Sequence, residues 1–324
     1  MYRTLFPTWI IFSIFTLVLL VGWSLAIPAM GKESTQAIYT EREDLDISKV
    51  SLGAVKAAVF DLDSGHALYR KHADWVTPIA SITKVMTALV VLESGEAMNA
   101  WLEIPKPDPE TRKNAYSRMR IGSELTRRDL LKLALMSSEN LAAYTLAYHH
   151  PGGVDAFVAD MNKKAKALGM LNSTFVDASG LSKHNQATAN DLIKLLAAAS
   201  KHQEIQEYST TPRYTATFRS PRYTLAYGNT NRLVSRDSWE ISLSKTGYIT
   251  EAGRCLVLMS KLDGKRVAMV FLDAFGKLTP LGDAQRVKRW ITTGSSGHIA
   301  GAAKRYSLDK AKQYPNEKAN IAHN

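Results

Sequence analysis

The amino-acid sequence predicts an α/β fold of the α+β kind, with one antiparallel sheet covered by helices and an inserted, mainly helical lobe. Three observations support it. Residues 54–69 and 239–272 have the apolar runs and alternation that are typical of strands, and the residues between them are mostly of helical period. Joining the two β-rich ends into one sheet leaves the helical segment as a second lobe. An active site is then expected in the crevice between the lobes.

Each element has a local signal. The apolar runs on either side of the turn 63–65 predict a β-hairpin. A longer apolar stretch that begins at Ser81 predicts a buried helix, because it is too long for one strand. Alternation predicts a three-stranded antiparallel meander, at 239–245, 254–262 and 267–272. Periodic apolar residues predict further helices, at 126–148, 154–168, 189–199 and 283–291.

These elements define one domain, residues 50–294. Its sheet lobe is expected at about 50–95 and 238–294, and its helical lobe at about 96–237. The last residues, 295–324, form a polar tail that we expect to have no regular structure, because they contain few apolar residues.

The first 31 residues have the pattern of an export signal. Arg3 precedes an uncharged stretch with an apolar centre, and a polar leader follows at 32–49. The apolar run is long enough to span a bilayer, so residues 1–31 are a signal peptide or an uncleaved anchor. Cleavage is favoured because Pro28 and Gly31 close the segment among small residues. Either way, the domain is expected outside the cytoplasm.

The charge pattern argues against nucleic acid as a partner. The net charge is +11, but the basic residues are spread along the chain and match no zinc-finger or RNA-binding motif. The one cysteine, Cys255, excludes an internal disulfide, and its apolar surroundings predict a buried, unreactive thiol.

The first motif with chemical meaning is Ser81-x-x-Lys84. At helical spacing the two side chains lie on one face, so the amine can approach the hydroxyl. A serine needs a base to become a nucleophile, and a lysine can act as one where burial lowers its pKa. The pattern is weak alone, since it also occurs at Ser242 and Ser307.

Two more motifs follow in a meaningful order. Ser138-Glu139-Asn140 lies at a break in the helical region, and Lys245-Thr246-Gly247 lies on an alternating strand. The order Ser-x-x-Lys, Ser-x-Asn, Lys-Thr-Gly is that of serine β-lactamases and penicillin-binding proteins, with Glu139 where the usual form has Asp.

The helical motifs predict catalytic roles. Ser81 is the candidate nucleophile and Lys84 its base, while Ser138 can relay a proton from Lys84 to the leaving amine. Asn140 can hold a substrate amide and keep Lys84 in position.

The strand motif predicts substrate binding. Lys245 supplies a fixed positive charge, Thr246 offers a hydroxyl donor, and Gly247 lets substrate backbone lie against the strand. The backbone N–H groups of Ser81 and Tyr248 are expected to form the oxyanion hole.

On these motifs the chain resembles the low-molecular-mass penicillin-binding proteins of the D-alanyl-D-alanine peptidase family, over residues 50–293. The resemblance implies the serine β-lactamase/D,D-peptidase transpeptidase-like fold. Within the family the chain is most similar to the endopeptidases, on three further segments: 149–153, 229–234 and 273–277.

The resemblance implies a serine D,D-endopeptidase that cuts D-Ala–diaminopimelate cross-links of peptidoglycan in the periplasm and binds β-lactam antibiotics covalently. A D-alanyl-D-alanine carboxypeptidase and a catalytically silent wall-peptide-binding module are the alternatives. A class A β-lactamase is disfavoured because no Glu-x-x-Leu-Asn follows Ser138. No cofactor or metal is expected, since His149-His150 do not face a common point. Peripheral association with the membrane or with other wall hydrolases is compatible with this function.

Overall fold

A computed structural model of the chain describes residues 45–107 and 116–321, with side chains as far as residue 314. The predicted signal and most of the leader lie outside the described residues. The strands are β1 (Lys56–Asp61), β2 (Ala67–Lys71), β3 (Thr77–Pro78), β4 (Trp101–Glu103), β5 (Glu124–Thr126), β6 (Gln186–Ala187), β7 (Arg213–Phe218), β8 (Tyr223–Gly228), β9 (Ile241–Ile249), β10 (Gly253–Leu262) and β11 (Lys265–Ala274). The α-helices are α1 (Thr83–Glu93), α2 (Arg127–Met136), α3 (Asn140–Tyr148), α4 (Gly153–Ala167), α5 (Ala189–Ala199), α6 (Gln203–Thr210), α7 (Thr279–Thr293) and α8 (Gly301–Ile321).

The two β-rich ends of the domain form one sheet, as predicted. Its order is β2-β1-β11-β10-β9, and every neighbouring pair is antiparallel. The pair β1–β11 joins the ends, with Ala58 opposite Val270 and Val59 opposite Met269. The predicted hairpin and meander are therefore confirmed, and β9 is left at an edge of the sheet.

Both faces of this sheet are covered, because successive side chains on a strand point to opposite sides. Ala58 and Val270 belong to the core under α1 and α5, whereas Val59 and Met269 belong to the core under α7. Trp290 of α7 is fully buried in the second core. All six residues of β1 are buried, as expected for a strand between two apolar layers.

The inserted lobe contains the predicted helices and two small antiparallel sheets that sequence analysis missed. Thr126 caps α2 by accepting a hydrogen bond from the Asp129 N–H at 3.1 Å. The predicted helix 126–148 is interrupted at Ser137–Glu139, which separates α2 from α3. The additional two-stranded sheets are β4–β5 and β7–β8.

The tail is not devoid of structure, contrary to expectation, since α8 occupies 301–321. Few apolar residues are needed because α8 docks through isolated positions. Tyr314 stacks on Trp75 with 3.9 Å between ring centroids, and Ser307 accepts a hydrogen bond from Lys71 Nζ at 2.8 Å. Ala303 is also buried. Within the described residues, no helix is both long and apolar enough to cross a bilayer.

Replacing Tyr314 with Ala should loosen α8. An aromatic pair contributes about 0.5–1.5 kcal/mol beyond area burial, so we expect a melting temperature lower by roughly 2–4 °C and faster amide exchange in 301–321. Leu308→Ala, at an exposed position of the same helix, is the control. Exchange equal to that of the unmodified protein would show that the Tyr314–Trp75 stack does not hold α8.

Candidate active site

Ser81 lies at the junction between β3 and α1. It belongs to a 3₁₀ turn, Ala80–Ile82, that runs directly into the helix. Ala80 has a φ of +48°, in the left-handed region that side chains with a Cβ rarely adopt. The backbone is therefore strained one residue before the predicted nucleophile, as is common where surrounding structure holds a functional group in place.

Lys84 is completely buried, and its amine lies among three acceptors. Its Nζ donates to Ser81 Oγ at 3.0 Å, to Asn140 Oδ1 at 2.7 Å and to the Ser179 carbonyl at 2.5 Å. An ammonium group has three protons, so these contacts use all of them. The predicted pairing of Ser81 with Lys84, and the predicted role of Asn140 in positioning Lys84, agree with this geometry.

Burial lowers the pKa of Lys84 to about 7, although the charges of Asp177 and Glu139 oppose the shift. A buried ammonium loses its hydration, which favours the neutral amine. At neutral pH the amine is therefore present in both forms, and its neutral form can accept the proton of Ser81.

The Ser179 carbonyl was not predicted as a contact of Lys84. It is held by a loop organised around Asp177, whose carboxylate accepts hydrogen bonds from the N–H groups of Ser179 and Gly180 at 2.7 and 2.6 Å. Asn185 donates to the second carboxylate oxygen at 2.6 Å. In the sequence, the segment Asp177-Ala178-Ser179-Gly180 could have marked this loop as part of the site. Its spacing, however, does not indicate a contact with Lys84.

Two glycines allow backbone to approach the Ser81 turn closely. Gly180 has a φ of +81°, and a Cβ there would lie 2.0 Å from the Ala80 carbonyl oxygen. On the other side, a Cβ on Gly247 would lie 3.1 Å from Ser81 N. The edge strand β9 thus passes beside Ser81, which brings the predicted Lys-Thr-Gly motif to the nucleophile.

Lys245 belongs to this strand, and its side chain is buried. Its Nζ donates to the Thr246 carbonyl at 2.8 Å. Burial lowers the pKa of Lys245 well below its usual range, and the nearby charge of Lys84 lowers it further. Burial therefore acts against the positive charge that the sequence predicts for Lys245, and a nearby anion favours that charge.

The segment 229–231 connects the motifs and was not predicted to do so. Thr230 N–H donates to the Met136 carbonyl at 3.0 Å, and its hydroxyl pairs with that of Thr246 at 2.7 Å. Asn231 is buried and donates to Ser244 Oγ at 2.7 Å. The end of α2 and strand β9 are thereby held at a fixed separation.

Six of the predicted site residues border one cleft of about 460 Å³. Ser81, Ser138 and Asn140 line one part, and Thr246, Gly247 and Tyr248 line another. Ser138 has a φ of +61°, so the break between α2 and α3 is a second strained position. The structure thus brings every predicted site residue to one place except Lys84 and Lys245, whose side chains lie just beneath the cleft.

Glu139, the departure from the usual motif, is buried at the N-cap position of α3. It accepts a hydrogen bond from the Leu141 N–H at 3.3 Å. Burial raises the pKa of Glu139, while hydrogen bonds from Ser117 and Leu141 act in the opposite direction. Its carboxylate therefore caps the helix that begins with Asn140.

The other candidates from the sequence have separate structural roles. Cys255 is buried, as predicted, and burial raises its pKa to about 12. His149 contacts the Glu103 carbonyl at 2.8 Å, whereas His150 contacts Asp160 at 3.1 Å. Among the residues that the structure describes, the two histidines do not share a partner.

Comparisons with known proteins agree with this geometry. A family model described as D-alanyl-D-alanine carboxypeptidase matches residues 43–276. A D-alanyl-D-alanine endopeptidase of Escherichia coli (strain K12) is 44% identical over 301 residues, which cover 93% of this chain and 94% of that protein. A D-alanyl-D-alanine endopeptidase of Pseudomonas aeruginosa is 47% identical over 262 residues, or 81% of this chain and 84% of that protein.

Solved structures confirm the predicted fold class. The Streptomyces K15 DD-transpeptidase superposes with a TM-score of 0.71 at 29% identity, covering 75% of this chain and 98% of that one. Penicillin-binding protein D2 from Listeria monocytogenes, in its cefotaxime-bound form, gives a TM-score of 0.66 at 32% identity, covering 75% of this chain and 99% of that one.

The pKa of Lys84 can be measured by NMR on lysine labelled at the ε carbon. We expect a midpoint near 7. Glu139→Gln should lower it, because the carboxylate charge that favours the ammonium form is lost while an amide oxygen can still cap α3. A Lys84 midpoint near 10, or an upward shift in the variant, would contradict the account of this amine.

Gly180→Ala should be far more damaging than Gly264→Ala. Both glycines have positive φ, +81° and +76°, so both variants incur backbone strain of roughly 1–2 kcal/mol. Only at Gly180 does the new methyl group meet backbone, since nothing lies within 4 Å of a Cβ at Gly264. The free energy of unfolding, measured in denaturant, should separate the two variants, and equal losses would refute the close approach at Ala80.

Proposed function

The chain belongs to the D-alanyl-D-alanine carboxypeptidase family and is a serine D,D-peptidase, and from this premise we propose that it acts as an endopeptidase on peptidoglycan. Its substrate is the cross-link between D-Ala of one peptide and diaminopimelate of another. The observation that carries the proposal is the 3.0 Å contact between Ser81 Oγ and the buried Lys84 amine. The names of the relatives at 44% and 47% identity support an endopeptidase.

The reaction begins with acylation. The neutral amine of Lys84 takes the proton of Ser81 as its oxygen attacks the D-Ala carbonyl carbon. The oxygen of that carbonyl becomes an oxyanion, which accepts hydrogen bonds from the N–H groups of Ser81 and Tyr248. The close approach of β9 to Ser81 supports this pairing.

The tetrahedral intermediate then breaks down. The C–N bond breaks, and the leaving amine of diaminopimelate receives a proton from Lys84 through Ser138. Ser138 lines the cleft with Ser81 and is suited to this relay. Water hydrolyses the acyl-enzyme, which frees the D-Ala carboxylate and regenerates Ser81. Penicillin acylates Ser81 by the same first step.

Substrate binding falls to the residues around this centre. Asn140 and the backbone of β9 hold the peptide, and Gly247 leaves room for it against the strand. Thr246 and Lys245 bind a carboxylate of the leaving group, and that anion favours protonation of Lys245. We place the enzyme in the periplasm, where its substrate lies and to which the pattern of residues 1–31 points.

A test uses cross-linked muropeptide dimers and uncross-linked pentapeptide, with products followed by mass spectrometry and a fluorescent penicillin as label. We expect dimers to give monomers, and Ser81→Ala to reduce turnover by about 10⁴-fold or more and to abolish labelling. Ser242→Ala, at another Ser-x-x-Lys match, should keep both activities.

The alternatives predict different results. Loss of one D-Ala from pentapeptide with dimers spared would make the enzyme a carboxypeptidase. Absence of both products and of the penicillin label would leave a wall-peptide-binding module.

A further inference from the structure

The lining of the catalytic cleft also contains three basic residues, Arg232, Arg254 and Lys277. Arg232 opens a 3₁₀ turn, Arg254 lies on β10, and Lys277 lies just before α7. Three separate parts of the chain thus bring positive charge to the cleft that contains Ser81.

These charges are not neutralised by the protein. Among the described residues, none of the three side chains forms an ion pair, and the cleft lining contains no aspartate or glutamate. Some basic side chains elsewhere do form ion pairs, such as Lys56 with Asp273 at 2.8 Å and Arg266 with Asp63 at 2.6 Å. Like charges lining one concave surface concentrate a positive potential, which attracts an anionic ligand.

Arg254 is held next to the reaction centre. Its guanidinium carbon lies 3.7 Å from the centroid of the Tyr248 ring, a cation–π contact between directly paired residues of β10 and β9. Tyr248 follows Gly247, whose backbone passes beside Ser81. The guanidinium is therefore held over the residue that follows Gly247, and it can bind a carboxylate through two parallel hydrogen bonds.

The two possible leaving groups differ in charge. Terminal D-Ala carries a single carboxylate. A leaving diaminopimelate carries one carboxylate on the carbon that bears its amine, and its peptide carries another at the far end of the residue or on the D-Ala that follows it. Only the cross-linked substrate presents carboxylates spread over a distance, which is the arrangement that several separated cations can bind.

We propose that Arg232, Arg254 and Lys277 form a subsite for the leaving peptide strand, which binds its carboxylates and makes the enzyme prefer cross-linked dimers to pentapeptide. The proposal rests on the peptidase function proposed above and identifies what sets its substrate preference. Thr246 and Lys245 bind the carboxylate next to the scissile bond, while the three cations bind the more distant carboxylates of the leaving strand. The cation cluster acts on the acceptor strand alone and takes no part in the proton transfers of Lys84.

The experiment compares the full-length enzyme with Arg232→Gln, Arg254→Gln, Lys277→Gln and the triple variant. We expect the ratio of kcat/KM for dimer to kcat/KM for pentapeptide to fall about threefold in each single variant and about 30-fold in the triple variant. Raising the ionic strength should lower this ratio in the unmodified enzyme and change it less in the triple variant. Arg213→Gln, an exposed arginine outside the cleft, is the matched control.

A second measurement needs no turnover. In the Ser81→Ala background, we expect the released diaminopimelate-containing tripeptide to bind, and the triple substitution to weaken its binding about tenfold. An unchanged ratio and unchanged tripeptide binding in the triple variant would overturn the subsite. A parallel loss of dimer and pentapeptide turnover would also overturn it, because the cations would then serve substrate binding in general.

Failure of the proposed function looks different. It would appear in the unmodified enzyme as absent dimer cleavage or absent penicillin labelling, before any cation is changed. Tripeptide binding would still decide whether the subsite exists.

Discussion

The buried amine of Lys84 is the constraint on which the rest of the site depends. A charged amine without water has to find protein acceptors, and an unmet donor would cost several kcal/mol. Its three acceptors come from its own turn, from the first residue of α3 and from the loop after α4. The Lys84 amine therefore holds all three segments in position. It also links the helical lobe to the sheet lobe at the candidate active site.

The same burial gives the amine its reactivity. Withdrawal from water lowers the pKa of Lys84 to about 7, so a residue that is usually cationic can act as a base. A second buried lysine, Lys245, lies close enough for the charge of Lys84 to lower its pKa as well. Two buried amines close together reduce the stability of the folded protein. The strained backbone at Ala80 and Ser138 reduces it further. Such costs are typical of functional sites, where the surrounding structure compensates for them.

The edge position of β9 explains how a peptide reaches this centre. An edge strand has unpaired backbone groups, which an extended substrate can use as a further strand. Gly247 keeps the approach to Ser81 open, and Arg232, Arg254 and Lys277 line the same cleft. In the proposed reaction, the acyl donor and the leaving group both bind along this cleft.

The sequence by itself determined the sheet and most helices, because alternation and helical period are local; α5 has the predicted bounds, 189–199. It also marked Ser81, Lys84, Asn140 and Lys245 as candidate site residues, since their chemistry belongs to the side chains. Only the tertiary structure decided that the third acceptor of Lys84 is the Ser179 carbonyl, because every residue carries a carbonyl and none is marked by its type. Likewise, only the fold decided which of the described basic residues form ion pairs, since pairing depends on contacts between distant segments.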